Sequence, residues 1–341
     1  MALDTTLQEA VTGVVLVDGT VLDTDFVVLG LGIRPNTALA EVAGLKIGES
    51  RGIAANDFMQ TNDPDIYAVG DACEYPRTHL GKPSRVPLAG PANRAGRIAG
   101  EHAATGSASS MPAVLGTAIV RVFGKTAAST GLNVKTARKM GVDVRSVVAV
   151  ALHHVGYYPG AQQMMLKLIY ENRTGKVLGA QAVGGDGVDK RIDVIATAIQ
   201  FGATVEDLTG LDLTYAPPFG AAKDPVHMAA FIAQNDLNGF TPIVQWDDDF
   251  EGKQRVDVRS AAEVEGMHMP HTIHIPVDEL RGRIGELDPQ KPTVVNCQSG
   301  LRSHIATRIL KQHGFREVAN VTGGMLMAEH IRPNEIVRGK K

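Results

Sequence analysis

Cysteine is scarce in this chain, which has only Cys73 and Cys297 among 341 residues. Two cysteines cannot form a disulfide framework, and no cluster of cysteine and histidine has the spacing of a zinc site, so we expect no metal. Basic and acidic residues nearly balance at a net charge of -3, which leaves no basic field for nucleic acid. No apolar run approaches the roughly 18 residues of a membrane-spanning helix. Asp4 stands where a secretory signal carries cations, so we expect the reducing cytoplasm and no membrane partner.

Cys297 lies where a predicted strand meets a predicted helix. Residues 293–296 are a short apolar run, typical of a buried strand. Apolar residues then recur at helical spacing over residues 301–309, and Gly314 supplies the end of that helix. The loop amides and the positive end of the helix dipole therefore point at the sulfur, and both favour its thiolate form.

Arg302 follows Cys297 after four residues, and the candidate loop around the two consists of Gln298, Ser299, Gly300, Leu301 and Ser303. A guanidinium here adds a fixed cation to a loop that can hold an anion beside a sulfur nucleophile. Cysteine phosphatases have a loop longer by one residue, which makes room for a tetrahedral phosphate. The shorter loop suits a persulfide, which has one extra sulfur on the cysteine. A buried strand-end cysteine near an unrelated arginine is the alternative.

This loop resembles the active-site loop of the rhodanese family of sulfurtransferases. The flanking segments agree with the resemblance: residues 257–260, 268–270, 275–276 and 323–324. The resemblance implies that Cys297 and Arg302 are catalytic and that the residues between them, with Ser303, form a persulfide loop. One segment departs from the family, because many members have an aromatic residue and then tryptophan where this chain has residues 325–328. The packing of the core at that point is therefore left open.

The N-terminal third contains a second pattern with a candidate ligand site. Residues 11–29 predict a hairpin that turns at Asp18 and Gly19, and residues 25–30 predict a second buried strand. Residues 61–72 combine a turn, an apolar strand, and Gly70 and Asp71 at its carboxyl end. Ligands of open α/β sheets bind at that end, where an aspartate can accept hydrogen bonds from sugar-like hydroxyls. A helix cap or turn residue is the alternative for Asp71.

This second pattern resembles the FAD-dependent pyridine nucleotide-disulfide oxidoreductases. The resemblance implies that Asp71 binds the ribityl chain of FAD, and that Gly70 beside it lets the backbone come close. It also implies that Pro87, Leu88 and Ala89, with a helix over 92–102, form a cofactor-binding segment whose N-terminus faces the flavin ring. The Gly-x-Gly-x-x-Gly loops of the family for FAD and NAD(P)H, and its redox-active cysteine, are not found among the 341 residues. We therefore expect an incomplete flavin site and little flavin on this chain. Cys73 is interpreted as a small buried residue rather than a substitute for the redox cysteine.

Residues 113–238 resemble the dimerisation domain of the same flavoproteins. Four strands and two helices are predicted there, at 118–123, 142–152, 164–170, 177–183, 188–201 and 225–238. Coenzyme A-disulfide reductases place two tyrosines near the thiol of the partner subunit. Tyr157 and Tyr215 match these positions, with Tyr158 a rival for the first. A phenol there can protonate a leaving thiolate, whereas tyrosines that pack an interface are the alternative.

Together the resemblances imply an α/β and α+β multidomain chain. Its parts are a partial FAD/NAD(P)-binding domain at 1–112, an α+β dimerisation domain at 113–238, a linker at 239–248 and a rhodanese-like parallel α/β domain at 249–334. They imply the C-terminal portion of an FAD-dependent NAD(P)H:coenzyme A-disulfide, persulfide or polysulfide reductase, a homodimer that relays sulfane sulfur through a Cys297 persulfide. Its partners would be small-molecule thiols, coenzyme A disulfide or persulfide, and thiosulfate or polysulfide. The alternative is a truncated, flavin-free dimerising scaffold with only sulfurtransferase activity or none.

Overall fold

The N-terminal part of the protein contains a small antiparallel sheet and one long helix. The computed structural model describes residues 2–5 and 10–339. The elements of this part are β1 (Ala2–Thr5), β2 (Val11–Val15), β3 (Val21–Asp23), α1 (Ala38–Val42) and α2 (Ala89–Thr105). Strand β2 pairs antiparallel with β1 and β3, and Gly19 adopts a φ of 86° in the turn between β2 and β3. The hairpin predicted around Asp18 and Gly19 and the helix predicted over residues 92–102 are therefore confirmed.

The second buried strand predicted over residues 25–30 is wrong. These residues form no regular element, and Phe26 and Val28 are 78% and 77% exposed. The strand predicted before Gly70 is reduced to a single antiparallel bridge between Gln60 and Tyr67. An apolar run becomes a strand only when another strand supplies its hydrogen bonds, and no described strand lies beside either segment.

The middle part is an antiparallel sheet of five strands in the order β4-β5-β8-β7-β6. Its elements are β4 (Ala118–Val122), β5 (Lys125–Gly131), α3 (Val134–Lys139), β6 (Val144–Leu152), β7 (Gln163–Glu171), β8 (Val177–Gly184), α4 (Val188–Gln200), α5 (Val205–Thr209) and α6 (Pro225–Leu237). Helices α4 and α6 contribute apolar side chains to one core with β6, β7 and β8. The predicted strands and helices of this part are confirmed. Strand β5 is additional, because its small and polar residues show no apolar run.

The C-terminal part is built on a parallel sheet of five strands in the order β12-β10-β13-β14-β9. Its elements are β9 (Ile243–Val244), β10 (Gln254–Asp257), α7 (Ala261–Gly266), β11 (Met267–His268), β12 (Ile273–His274), β13 (Thr293–Asn296), α8 (Leu301–Gln312), β14 (Val318–Val321), α9 (Gly324–Ile331) and β15 (Val337–Arg338). The parallel α/β architecture predicted here is confirmed. Strand β9 lies within residues 239–248, so part of the predicted linker is a strand of this sheet. The domain limits themselves stay a prediction.

The middle and C-terminal parts meet along strand β6, an edge strand of the antiparallel sheet. The backbone N–H of Val148 in β6 donates to Thr322 Oγ1 at 2.7 Å, and both residues are buried. Gln245 Nε2 donates to the Ser146 carbonyl at 2.8 Å. The C-terminal part therefore satisfies backbone groups that an edge strand otherwise leaves open. The two parts are joined by specific polar contacts as well as by the chain.

Trp246 completes the apolar core next to Gly323 and Gly324. Met325 and Ala328 are completely buried, and they pack in one apolar cluster with Trp246 and Phe250. The indole Nε1–H of Trp246 donates to the Gly324 carbonyl at 2.8 Å. An aromatic ring from the segment between β9 and β10 thus contributes to the core close to where the sequence departs from the rhodanese pattern.

We expect Trp246→Phe to lower the free energy of unfolding by about 1 to 3 kcal/mol, because the carbonyl of Gly324 loses its indole donor while an aromatic ring remains. Urea denaturation followed by circular dichroism measures the change. Phe123→Leu is the control, since Phe123 is fully exposed and a surface change should stay within about 0.5 kcal/mol. Equal urea midpoints for Trp246→Phe and the wild type would show that the hydrogen bond contributes nothing.

Candidate active site

Cys297 lies in the turn between strand β13 and helix α8, as the sequence predicts. Its Sγ accepts the backbone N–H of Gly300 at 3.1 Å and lies 3.3 Å from Ser303 Oγ. Gly300 adopts a φ of 115° and is the residue immediately before α8, a backbone conformation that favours glycine. The side chain of Cys297 is nearly covered, with 1% of the residue exposed. The sulfur therefore faces the N-terminal end of a helix from within a closed loop.

A residue of the neighbouring strand β14 supports this loop. The Ser303 hydroxyl donates to Asn320 Oδ1 at 2.7 Å, and Asn320 Nδ2 donates to the Gly300 carbonyl at 3.1 Å. Asn320 thus holds both residues that touch the sulfur. The sequence contains no signal for this role, because an asparagine within a predicted strand looks like any other polar residue.

Arg302 is held by Glu263, which is located in helix α7. Both terminal nitrogens of Arg302 donate to this carboxylate, at 2.7 and 2.6 Å. These hydrogen bonds are the main reason that the pKa of Glu263 is lowered to about 2, and they raise the pKa of Arg302 in turn. The same carboxylate accepts the N–H and hydroxyl of Ser260 at 3.0 and 2.8 Å. From the sequence, Glu263 is recognisable only as the capping-box partner of Ser260.

Arg259 provides a second guanidinium, and it is completely buried. Its Nη2 donates to Asp257 Oδ2 at 2.7 Å, and its Nε lies 3.0 Å from both oxygens of that carboxylate. Its Nη1 reaches the side-chain oxygen of Gln298 in the loop at 3.3 Å. Asp257 and Arg259 therefore fix one side of the Cys297 loop, a role that their place in the flanking segment 257–260 does not reveal.

The carbonyl side of the loop is bound by helix α9. The backbone N–H of Met325 donates to the Cys297 carbonyl at 2.8 Å, and that of Leu326 donates to the Gln298 carbonyl at 3.1 Å. The loop carbonyls are thus paired away from the sulfur. The backbone amide of Gly300 points at the sulfur, where it can stabilise negative charge.

A cavity of about 260 Å³ lies between the outer side of this loop and the middle part of the protein. The loop and α8 contribute Ser299, Gly300, Leu301 and His304, while α6 and β6 contribute apolar residues that include Val148, Phe231 and Ile232. His304 Nδ1 is 2.7 Å from Thr241 Oγ1, and burial lowers the pKa of His304. The loop residues Ser299 and Leu301 thus face the interdomain space rather than the sulfur.

The structure brings Tyr157 and Tyr215 together. Interaction with the neighbouring phenol of Tyr157 is the main cause that raises the pKa of Tyr215. Both rings are solvent accessible, at 76% and 47% exposure. Tyr158 instead packs edge-on against His154, with ring centroids 5.5 Å apart. Tyr157 and Tyr158 are both candidates for the first tyrosine position, and Tyr157 is the one that lies beside Tyr215.

Arg191 ties together the two segments that contain these tyrosines. Its buried guanidinium donates to Asp224 Oδ2 and to the His153 carbonyl, each at 2.7 Å. The N–H of Val155 also donates to the Gly220 carbonyl at 3.0 Å. No hydrogen bond within the described residues joins either tyrosine to Cys297. The phenol pair and the sulfur loop are thus two separate sites.

The predicted flavin-binding residues lie beside backbone that side chains do not cover. Gly70 has a φ of 85°, and a β-carbon there would meet no atom within 4 Å. Asp71 is exposed, and Leu88 stands at the N-terminus of α2 without a side-chain cap, next to Ala89. An open glycine, a free carboxylate and uncapped helix amides fit a hydroxylated chain and an electron-rich ring, as FAD would present. Pro87 immediately precedes this helix start.

Cys73 is completely buried, and its Sγ donates to the Gly70 carbonyl at 3.2 Å. Burial raises the pKa of this thiol to about 12, so Cys73 stays protonated at neutral pH and is a poor nucleophile. This environment agrees with its interpretation as a small buried residue.

Comparison with known families accounts for all three parts. Residues 3–96 match the pyridine nucleotide-disulphide oxidoreductase model, and residues 94–225 match the dimerisation domain of that family. Residues 3–225 are therefore similar to this oxidoreductase family over two of its domains. Residues 246–326 match the rhodanese-like domain. The match to the oxidoreductase family implies FAD and NAD(P)H as cofactors. No helix in the part of the chain that the structure describes is long and apolar enough to cross a bilayer.

Curated proteins and solved structures are similar to this chain. The NAD(P)H sulfur oxidoreductase (CoA-dependent) of Pyrococcus furiosus is 39% identical over 216 residues, or 63% of this chain and 48% of that protein. The coenzyme A disulfide reductase of Staphylococcus aureus is 35% identical over 210 residues, or 62% and 48%. The structure of reduced Bacillus anthracis CoADR-RHD has a TM-score of 0.90 at 41% identity and covers 97% of this chain and 60% of its own. The chain spans about half the length of the curated relatives it matches.

The low pKa of Glu263 predicts how the ion pair with Arg302 responds to acid. A carboxyl whose pKa falls from 4.5 to about 2 on folding stabilises the protein fully above pH 4.5 and loses that contribution as the pH falls toward 2. The difference in unfolding free energy between the wild type and Glu263→Gln should therefore be constant above pH 5 and shrink below it. Urea titrations at several pH values measure this difference. A difference that grew on acidification would contradict the assignment.

Proposed function

We propose that this chain is the C-terminal portion of an FAD-dependent NAD(P)H reductase of coenzyme A disulfide, persulfide or polysulfide, and that its rhodanese-like domain relays sulfane sulfur. The observation that carries the proposal is the position of Cys297. Its sulfur is held by the Gly300 amide and Ser303 at the start of α8, within a domain of the rhodanese-like family. The names of the relatives, which act on sulfur or on coenzyme A disulfide, support the choice of substrates.

The sulfur transfer needs only the thiolate of Cys297 and two small molecules. The thiolate attacks the outer sulfur of a donor R–S–S⁻, a new S–S bond forms on Cys297, and the bond within the donor breaks to release R–S⁻. The thiolate of an acceptor then attacks the outer sulfur of the Cys297 persulfide and carries it away. The Gly300 amide and the end of α8 stabilise the negative charge that remains on sulfur in each state. Thiosulfate can serve as donor in the same way and releases sulfite.

The reductase half would use the remaining candidate residues. FAD would be held along Gly70 and Asp71 and at the start of α2, and it would pass electrons from NAD(P)H to the substrate sulfur. The 341 residues contain no Gly-x-Gly-x-x-Gly loop for its pyrophosphate, so this chain contributes only part of the flavin site. Tyr157 and Tyr215, whose phenols are neighbours, would give a proton to a thiolate that leaves the substrate. A reducing cytoplasm suits two free thiols and this chemistry.

We expect Cys297→Ala to abolish sulfur transfer from thiosulfate or polysulfide to a thiol acceptor, because no other described residue provides a nucleophilic sulfur. Cys73→Ala is the matched control, since Cys73 is equally free but protonated, and it should keep more than about half of the activity. The assay measures persulfide or sulfite formation. Activity that survives in Cys297→Ala and disappears in Cys73→Ala would reverse the assignment.

We also propose a homodimer formed through the middle part. The matched dimerisation-domain family supports this, and so does an exposed apolar face on the sheet that includes Val120, Val122 and Val183. Val120→Glu should shift the mass of the wild-type dimer toward that of the monomer, because a buried charge without a partner opposes association. Light scattering measures the mass. Val17→Glu, which changes a 95% exposed residue outside this face, should leave the dimer intact. A monomeric wild type would refute the proposal.

A further inference from the structure

The two guanidinium groups beside the Cys297 loop are already neutralised. Arg302 is bound through both terminal nitrogens by Glu263, and Arg259 is bound by Asp257. The pair with Glu263 is the accessible one, with about a third of each side chain exposed, whereas the pair with Asp257 is completely buried. Two positive and two negative side chains therefore cancel around a sulfur that is itself negative as a thiolate. Such a loop has little net attraction for a donor that carries more than one charge at its reacting end.

We propose that Glu263 is a specificity-determining residue that acts through Arg302. Its carboxylate makes the loop select alkyl persulfide donors, which bear one negative charge at the reacting sulfur, over the dianion thiosulfate. This inference rests on the proposed sulfur transfer through Cys297. It adds which donor class the loop prefers and which residue sets the preference.

The chemistry of the two donors explains why one carboxylate discriminates between them. With a persulfide, attack by the Cys297 thiolate releases a monoanionic thiolate R–S⁻. With thiosulfate, the same attack on the outer sulfur releases sulfite, which takes the electron pair of the broken S–S bond and leaves as a dianion. Repulsion from Glu263 grows with donor charge, while the hydrogen bond from the Gly300 amide serves both donors alike. Glu263 also occupies both terminal nitrogens of Arg302, which a dianion would otherwise bind.

Glutamine at position 263 removes the charge with little other change. Glu263 caps helix α7 by accepting the N–H and hydroxyl of Ser260, and glutamine can fill the same position of a capping box. Its amide oxygen can also accept one hydrogen bond from Arg302. Aspartate tests the other property, because Glu263→Asp keeps the charge but shortens the side chain that reaches Arg302.

The experiment measures kcat and KM of the full chain with thiosulfate and with glutathione persulfide. Glu263→Gln should raise the ratio of kcat/KM for thiosulfate to that for the persulfide by about tenfold, mostly through a lower KM for thiosulfate. Glu263→Asp should stay near the wild-type ratio. Glu286→Gln is the matched control, because Glu286 forms a similar two-point pair with Arg283 in the same domain, and it should leave the ratio unchanged. A purely structural role would lower the rates with both donors equally and leave the ratio as it was.

A binding measurement separates this inference from the proposed function. In a Cys297→Ser background, titration calorimetry with thiosulfate should show about tenfold tighter binding when Glu263→Gln is added, with a stronger dependence on salt. If the wild type transfers no sulfur from either donor, the proposed function fails, and the calorimetry still decides the role of Glu263. An unchanged donor ratio in an active enzyme, or unchanged thiosulfate binding in the Cys297→Ser background, overturns the inference.

Discussion

The sulfur loop depends on the close approach of the Gly323–Gly324 turn to Cys297. A β-carbon on Gly324 would lie 2.4 Å from the Cys297 carbonyl oxygen, and Gly324 has a φ of 55°, so a larger residue would push the loop away. Because of this contact, the start of α9 can bind the carbonyls of Cys297 and Gln298. With its carbonyls bound on that side, the loop turns the amide of Gly300 inward toward the sulfur. The anion-stabilising property of the loop thus follows from a missing side chain.

Each charged residue around the loop makes contacts to more than one element, and these contacts fix its position. Glu263 both caps α7 and binds Arg302, so the position of that helix determines where the cation stands. Arg259 binds Asp257 in β10 and reaches Gln298, so it joins the strand beside β13 to the loop. Ion pairs with two or more hydrogen bonds hold their side chains in one geometry. The cradle is therefore preorganised before any donor arrives, as a site that stabilises charge on sulfur requires.

Features that depend on neighbours in the chain were predictable from the sequence. The strand before Cys297 and the helix after it are examples, because each needs only local spacing. The pairing of Glu263 with Arg302 and of Asn320 with Ser303 was not predictable, since these residues meet only after β10, β13 and β14 lie side by side. The strand predicted over residues 25–30 is wrong because a strand also depends on partners that are distant in the chain. Its apolar residues satisfy the local pattern, whereas the strand that would pair with it is not among the described residues.

Strand β6 connects the two candidate sites. Val148 in this strand donates to Thr322, which directly precedes the Gly323–Gly324 turn behind Cys297. The residue after the same strand, His153, is held through its carbonyl by Arg191, whose partner Asp224 is the N-cap of α6. Tyr157 follows within the same short turn and meets Tyr215. This edge strand, which pairs with β7 along its whole length, thus supports both sites. Because a packed strand moves little, the middle domain sets the distance between the sulfur loop and the phenol pair.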